Sequence, residues 1–294
     1  MMTYLECIPC FFRQALSAAK IVGADERTRR EIMNRVAAEV PKISLASSPP
    51  EMGEIVYGAV AELVGDGDPY LDLKRRSTRL CLGIYDELKA RVAAADDPLR
   101  LAAQLAIAGN IIDYGAKQDL DVGSEVDRIL ASERLAIASE EGAFFAFEDF
   151  AADLARSRTI LYLGDNAGET VFDRILIEQI LRLYPDKEVT YAVKSGPTIN
   201  DALVEDAKDC GLDRVARLVT SGSRLPGTVL GRCSDEFRQI FAEADMVVSK
   251  GQGNFETLSD AARPVYFLFI AKCGVVARHM GCAVGDVILM RGGS

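Results

Sequence analysis

Five short loops in the second half of the chain carry most of the residue types suited to holding an anion or a cation. They are Gly164-Asp165-Asn166-Ala167-Gly168-Glu169, Lys194-Ser195-Gly196-Pro197 with Asn200-Asp201 just after it, Ser221-Gly222, Lys250-Gly251-Gln252-Gly253-Asn254-Phe255-Glu256, and Lys272-Cys273-Gly274. Asp165, Asn166 and Asp201 offer two carboxylates and one amide oxygen. Hard oxygen donors without imidazole or thiolate suit Mg²⁺, Mn²⁺ or a similar divalent ion. Taken alone, Asp165-Asn166 reads first as a turn, because both side chains hydrogen-bond their own backbone there. Gly251 and Gly253 would let the backbone approach a ligand and turn its N–H groups towards phosphate oxygens, although the full phosphate-loop pattern is absent. Lys250 and Lys272 could each present an ammonium; singly, each reads as a solvated surface lysine. Glu169 could orient a substrate hydroxyl, or simply favour the helix N-terminus that follows it.

Each of these loops follows a short apolar run: Thr159–Leu163, Val189–Val193, Val215–Thr220, Met246–Ser249 and Val265–Ile270. A sixth strand is expected at Val287–Met290. Helical patterns lie between several of the runs, clearest at Val171–Leu183. Such alternation predicts a mostly parallel sheet with helices on both faces. In open sheets of this kind ligands bind outside the carboxyl ends of the strands, so the five loops are expected to converge on one crevice.

Residues 1–155 show helical periodicity and no convincing strand. Helices are expected around Ile8–Val22, from Pro49-Pro50 to a stop at Gly65, along one long stripe from Leu71 to Val92 with Asp68 as its cap, over Pro98–Tyr114, over Ser124–Glu140 and over Phe144–Ala155. The fold class is therefore α/β: an N-terminal all-helical domain or cover over 1–155, then an α/β metal- and phosphate-binding domain over 156–294. Gly109 is unusual in its helical stretch and suggests close packing against the sheet domain. Asn110 and Asp113 are further crevice candidates.

The chain has 294 residues and a net charge of −10, which argues against a general nucleic-acid binder or a basic membrane-surface protein. The acidic excess falls almost wholly on residues 1–155, so the near-neutral second half is better placed to receive an anion. A single histidine, His279, excludes multi-imidazole metal centres, and no Gly-x-Ser-x-Gly elbow supports a serine triad. No apolar run is long enough to span a membrane. Scattered cysteines without a signal peptide point to reduced thiols in the cytoplasm. Cys7-x-x-Cys10 admits two readings, a redox or metal pair and two small apolar residues packed at a helix start.

Taken together, Cys7-x-x-Cys10, Ala108–Asp113, Asp165-Asn166-Ala167-Gly168-Glu169, Asn200-Asp201, Lys250-Gly251-x-Gly253-Asn254-Phe255-Glu256 and Lys272-Cys273 resemble the damage-control phosphatase family, also known as domain of unknown function 89. The resemblance spans nearly the whole chain and is strongest to the compact prokaryotic branch with an amino-terminal Cys-x-x-Cys. It implies a phosphatase that uses one divalent ion (Mg, Mn, Co or Ni) on small phosphorylated metabolites, often damaged or side-product species. It also implies that Asp165, Asn166 and Asp201 are metal ligands, that Glu169 contacts substrate and that Lys272 binds phosphate. Lys250, Gly251, Gly253 and Asn254 are further expected on the substrate side. Asp165 stands as either the nucleophile or the base that orients water. The Arg/Lys-Thr-x-Lys motif of larger eukaryotic relatives is reduced here to Lys272 in Ile270-Ala271-Lys272-Cys273, so their sugar-phosphate substrates do not carry over. Two alternatives remain from other classes: an S-adenosylmethionine-dependent methyltransferase, and a non-catalytic binder of metal or phosphometabolite.

Overall fold

The computed structural model describes residues 1–64, 67–109 and 144–293. Asn110, Asp113 and the helix expected over 124–140 lie outside them. Twelve α-helices and a six-stranded sheet are present among the described residues. The helices α1 (Cys7–Ile21), α2 (Glu26–Glu39), α3 (Pro49–Val64), α4 (Leu71–Gly83), α5 (Tyr85–Ala94), α6 (Pro98–Ala108) and α7 (Phe147–Arg156) precede the sheet. Then follow β1 (Thr159–Leu163), α8 (Thr170–Leu183), β2 (Glu188–Val193), α9 (Val204–Asp209), β3 (Arg217–Thr220), α10 (Asp235–Glu243), β4 (Met246–Lys250), α11 (Gln252–Leu258), β5 (Val265–Ile270), α12 (Gly274–Met280) and β6 (Val287–Gly292).

The strand order is β3-β2-β1-β4-β5-β6, parallel except for β6, which pairs antiparallel to β5. The central strands are buried on both faces, which explains their continuous apolar character. Ile160, Tyr162, Tyr191, Val248 and Leu268 pack on one side against helices including α5, α6 and α8. Leu161, Leu163, Val247, Phe267 and Phe269 pack on the other against α1, α2 and α3 as well as α10 and α11. The N-terminal helices thus cover both faces of the sheet. Strand order reverses about β1, which pairs in parallel with β2 on one side and β4 on the other. The loops leaving β1 and β4 flank that switch point, where open sheets place their ligands.

Local chemistry accounts for several helix starts. Asp25 caps α2 by accepting the Thr28 N–H at 2.8 Å, and Asp97 caps α6 by accepting the Arg100 N–H at 3.0 Å, with Pro98 at the first helical position. The long helix expected from Leu71 to Val92 is two helices. They part at Ile84, whose φ of −111° and ψ of 2° break the helical ladder. α2 has no counterpart in the sequence reading, because only Ile32 and Val36 of its highly charged stretch are buried. β3 begins at Arg217 rather than Val215, and α7 at Phe147 rather than Phe144.

Gly109 ends α6 where a side chain would not fit. A Cβ there would lie 2.9 Å from the Phe172 ring of α8. The close approach expected of this glycine is therefore made to the first helix of the sheet region. Gly109→Val should lower stability by about 1–3 kcal/mol through overpacking. Urea unfolding measures this, and an unchanged midpoint would contradict it.

Candidate active site

The loops after β1 and β2 are stitched together by their backbones. Asn166 and Asp201 form an isolated antiparallel bridge. The Ala167 N–H donates to the Asn200 carbonyl at 2.9 Å and the Ala202 N–H to the Asp165 carbonyl at 2.8 Å. This pairing brings Asp165, Asn166 and Asp201 side by side. Ile199, just before them, has a φ of 40°. For a β-branched residue this is a strained conformation, of the kind that persists where surrounding contacts over-determine it.

Gly251 completes the arrangement from the β4 loop. It has a φ of 81°, and a Cβ there would fall 2.0 Å from Asp165 Oδ2. Only glycine lets Asp165 occupy that space. Asn166 Nδ2 donates to Asp165 Oδ2 at 3.0 Å and to Glu169 Oε1 at 2.5 Å. With its amide nitrogen committed to two carboxylates, the side chain keeps its carbonyl oxygen for another partner.

Beneath this layer lies a buried charge network. Lys250 Nζ is 2.7 Å from Asp173 Oδ1 and 3.4 Å from Glu169 Oε2, and its side chain is fully buried. Tyr162 and Tyr191 donate their hydroxyls to Asp173 at 2.8 and 2.7 Å. Burial, and then the Asp173 charge, hold both phenols far above their usual range, so they stay protonated donors. Burial works against the Lys250 charge, but Asp173 and Glu169 outweigh it and hold the ammonium above its ordinary value.

A cavity of about 790 Å³ opens over these loops, lined by Asp165, Asn166, Glu169, Asp201, Gly253 and Lys272 among others. Lys272 is exposed at its edge and near enough to favour the Asp165 charge. Burial and the neighbouring Glu169 and Asp201 charges nevertheless push the Asp165 carboxyl up to about 8. Burial likewise pushes Asp201 up to about 6, against the opposing pull of Lys194. Lys194 Nζ lies 3.7 Å from Asp201 Oδ2 and donates to the Gly227 carbonyl. Asp201 Oδ2 itself is buried without a hydrogen-bond partner.

A buried carboxylate oxygen without a hydrogen bond, an amide whose nitrogen is already committed and a carboxyl raised by burial and its neighbours are what a cation would satisfy. Among the described residues, no cluster of three or more His, Cys, Asp or Glu side chains is arranged to hold a metal. The oxygen donors that the cavity offers are instead two carboxylates and an amide. Such a set leaves coordination positions to water and substrate, as suits a hard ion such as Mg²⁺.

The structure corrects two expectations and adds four residues. Lys250 does not line the cavity; its ammonium is spent on Asp173 and Glu169 because an unpaired buried carboxylate is costly. Asn254 is fully buried, accepting from Thr228 Oγ1 at 2.7 Å and donating to the Lys250 carbonyl at 2.8 Å, so it braces the loop from below. Asp173, Tyr162 and Tyr191 received no role in the sequence reading, and Lys194 stood there only as part of a candidate loop. The signal available for the tyrosines was that a hydroxyl in a two-sided strand needs a buried partner. Cys7 and Cys10 line the cavity with Cys273, and burial pushes the Cys7 thiol up. Lys250→Met should leave Asp173 and Glu169 without their cation and destabilise the protein by about 3–5 kcal/mol. A loss below about 1 kcal/mol in denaturant titration would contradict the network described.

The chain matches the damage-control phosphatase ARMT1-like domain over residues 3–288. It is 34% identical over 296 residues to a damage-control phosphatase of Pyrococcus horikoshii, covering 99% of this chain and 98% of that one. A damage-control phosphatase of Archaeoglobus fulgidus is 32% identical over 289 residues, with 96% of each chain covered. The crystal structure of a DUF89 family protein from Pyrococcus horikoshii superposes with a TM-score of 0.87 at 32% identity, covering 99% of both chains. None of these matches supports the methyltransferase or the non-catalytic alternative. With whole-length matches in both sequence and structure, the chain belongs to the ARMT1-like damage-control phosphatase family.

Proposed function

We propose that this chain is a divalent-metal-dependent phosphatase that hydrolyses phosphate monoesters of small metabolites. The relatives' names support the phosphatase role. The observation that carries the metal is Asp201 Oδ2, buried with no hydrogen bond and only Lys194 at 3.7 Å for a counter-charge, on a residue bridged through the backbone to Asn166 and next to a carboxyl raised by burial and its neighbours. Asp165, Asn166 and Asp201 would hold one ion of Mg, Mn, Co or Ni.

When bound, the ion supplies positive charge to the phosphoryl oxygens and to the transition state. Lys272, at the cavity edge, would neutralise phosphoryl oxygens. Gly253 presents backbone close to the same space. Glu169 lies between the Asn166 amide and Lys250, fixed where a substrate hydroxyl would be held. Asp165 either attacks phosphorus directly or orients the attacking water; Asn166 Nδ2 fixes Oδ2 in both cases. The substrate is a free small phosphometabolite, and neither nucleic acid nor membrane is a partner. Among the described residues, no helix is long and apolar enough to cross a membrane. We place the protein in the cytoplasm, on the scatter of its seven cysteines along a long chain.

Asp165→Ala and Asp201→Ala should each abolish metal-stimulated phosphate release from an aryl phosphate while circular dichroism stays native. Undiminished turnover in both variants would defeat the assignment. A second test uses pH. Burial raises the folded-state affinity of Asp165, Asp201 and Glu256 for protons, to about 8, about 6 and about 7. Unfolded carboxyls ionise near pH 4. The metal-free protein is therefore stabilised by these groups at low pH and loses that stability as pH rises from about 4 to 8. A divalent ion, which favours the ionised carboxylates, should restore the melting temperature most at the upper end of that range. Melts in chelator and in Mn²⁺ measure this, and a metal effect that does not grow with pH would contradict it.

A further inference from the structure

Lys74 of α4 is a fully buried cation that the phosphatase reading does not use. Its Nζ lies 2.8 Å from Asp68 Oδ2 and 2.6 Å from Asp206 Oδ2, with 1% of the side chain exposed. Asp68 belongs to the turn before α4, where Oδ1 also accepts the Tyr70 N–H at 2.9 Å. Asp206 belongs to α9 and faces the candidate site's own loop: Oδ2 accepts the Leu203 N–H at 2.9 Å.

Residues 201–203 are thus pinned from several sides. The Ala202 N–H donates to the Asp165 carbonyl at 2.8 Å, and the Ala202 carbonyl accepts the Lys194 N–H at 3.1 Å. The Asp201 N–H donates to the Thr198 carbonyl at 3.1 Å. These bonds come from the sheet loops. The bond to Asp206 ties the segment to the N-terminal helices through a charged side chain, because Lys74 fixes Asp206. At six residues, α9 is too short to hold itself in place by helix formation alone.

We infer that Lys74 is a positioning residue: through Asp206 and the Leu203 N–H, it sets the loop that carries Asp201 into the candidate metal site. The inference rests on the metal-dependent reading above. On it, the N-terminal helices help to set ligand geometry as well as cover the sheet. Charge and position pull in opposite directions here, which makes the role testable. Lys74 lies close enough to favour the Asp201 charge. By charge alone, deleting a nearby cation tightens a divalent ion; by loss of position, the same deletion weakens it.

The test is Mn²⁺ binding to the full chain, followed by the electron paramagnetic resonance signal of free Mn²⁺, with thermal melts alongside. Lys74→Met should weaken Mn²⁺ binding roughly 10- to 100-fold, the usual consequence of losing an outer support of a metal ligand. Asp68→Asn breaks the other half of the same ion triad without touching the Asp201 loop. It should cost comparable melting temperature and leave Mn²⁺ affinity nearly unchanged. If Lys74→Met fails to fold, Lys74→Gln, which keeps a donor but no charge, carries the test with the same expected direction. Equal or tighter Mn²⁺ binding without the lysine would overturn the inference. So would an Asp68→Asn variant as weak as Lys74→Met, since the triad would then act only through stability. An unmodified protein that binds no Mn²⁺ would overturn the metal reading itself, and this inference with it.

Discussion

Three carboxylates, Asp165, Glu169 and Asp201, are crowded at the carboxyl ends of a buried sheet, and positive charge has to meet them there. Like charges at close range in a poorly solvated site raise one another's proton affinity, and the rise at Asp165 and Asp201 has this origin together with burial. Much of the surrounding structure reads as a response. Lys250 answers Glu169 from below, Lys194 approaches Asp201 from the side, and Lys272 reaches Asp165 from the cavity edge. One buried oxygen, Asp201 Oδ2, still has no hydrogen bond. On the proposed function, a divalent ion at that point would complete the balance.

The sheet makes this crowding possible. The β1 and β4 loops meet at the switch point, and Gly251 gives up its side chain so that Asp165 fits against it. The antiparallel bridge between Asn166 and Asp201 converts two separate loops into one rigid edge. Rigidity matters because phosphoryl transfer depends mainly on positioning and electrostatic stabilisation. The network of Lys250, Asp173, Tyr162 and Tyr191 is fully buried, so it stiffens the floor without meeting substrate. The N-terminal helices pack on both sheet faces and reach the Asp201 loop through Lys74, which links the two halves of the chain electrostatically as well as by apolar contact.

Much of the site was legible because its logic is local in type and spacing. Glycine and short polar residues after each apolar run marked the strand ends, and strand ends of a parallel sheet converge. That rule alone brings Asp165, Asn166, Asp201, Gly253 and Lys272 to one cavity. What stayed hidden depends on partners far apart in sequence. Lys250 follows a strand just as Lys272 does, and nothing local tells that it turns inward to Asp173. Asp173 sits in the first turn of α8, where an acidic residue already has a sufficient local reason. The break between α4 and α5 was illegible because apolar spacing continues across Ile84 while the backbone leaves the helix. α2 escaped because two buried residues in a charged stretch are too weak a periodic signal.

The most direct test is crystallographic. Crystals soaked in Mn²⁺ and measured near the manganese absorption edge would locate the ion without reference to activity. The account predicts one anomalous peak at bonding distance from Asp165, the Asn166 carbonyl oxygen and Asp201, facing Lys272 across the cavity. A peak elsewhere, or none at saturating Mn²⁺ with these side chains ordered, would contradict it.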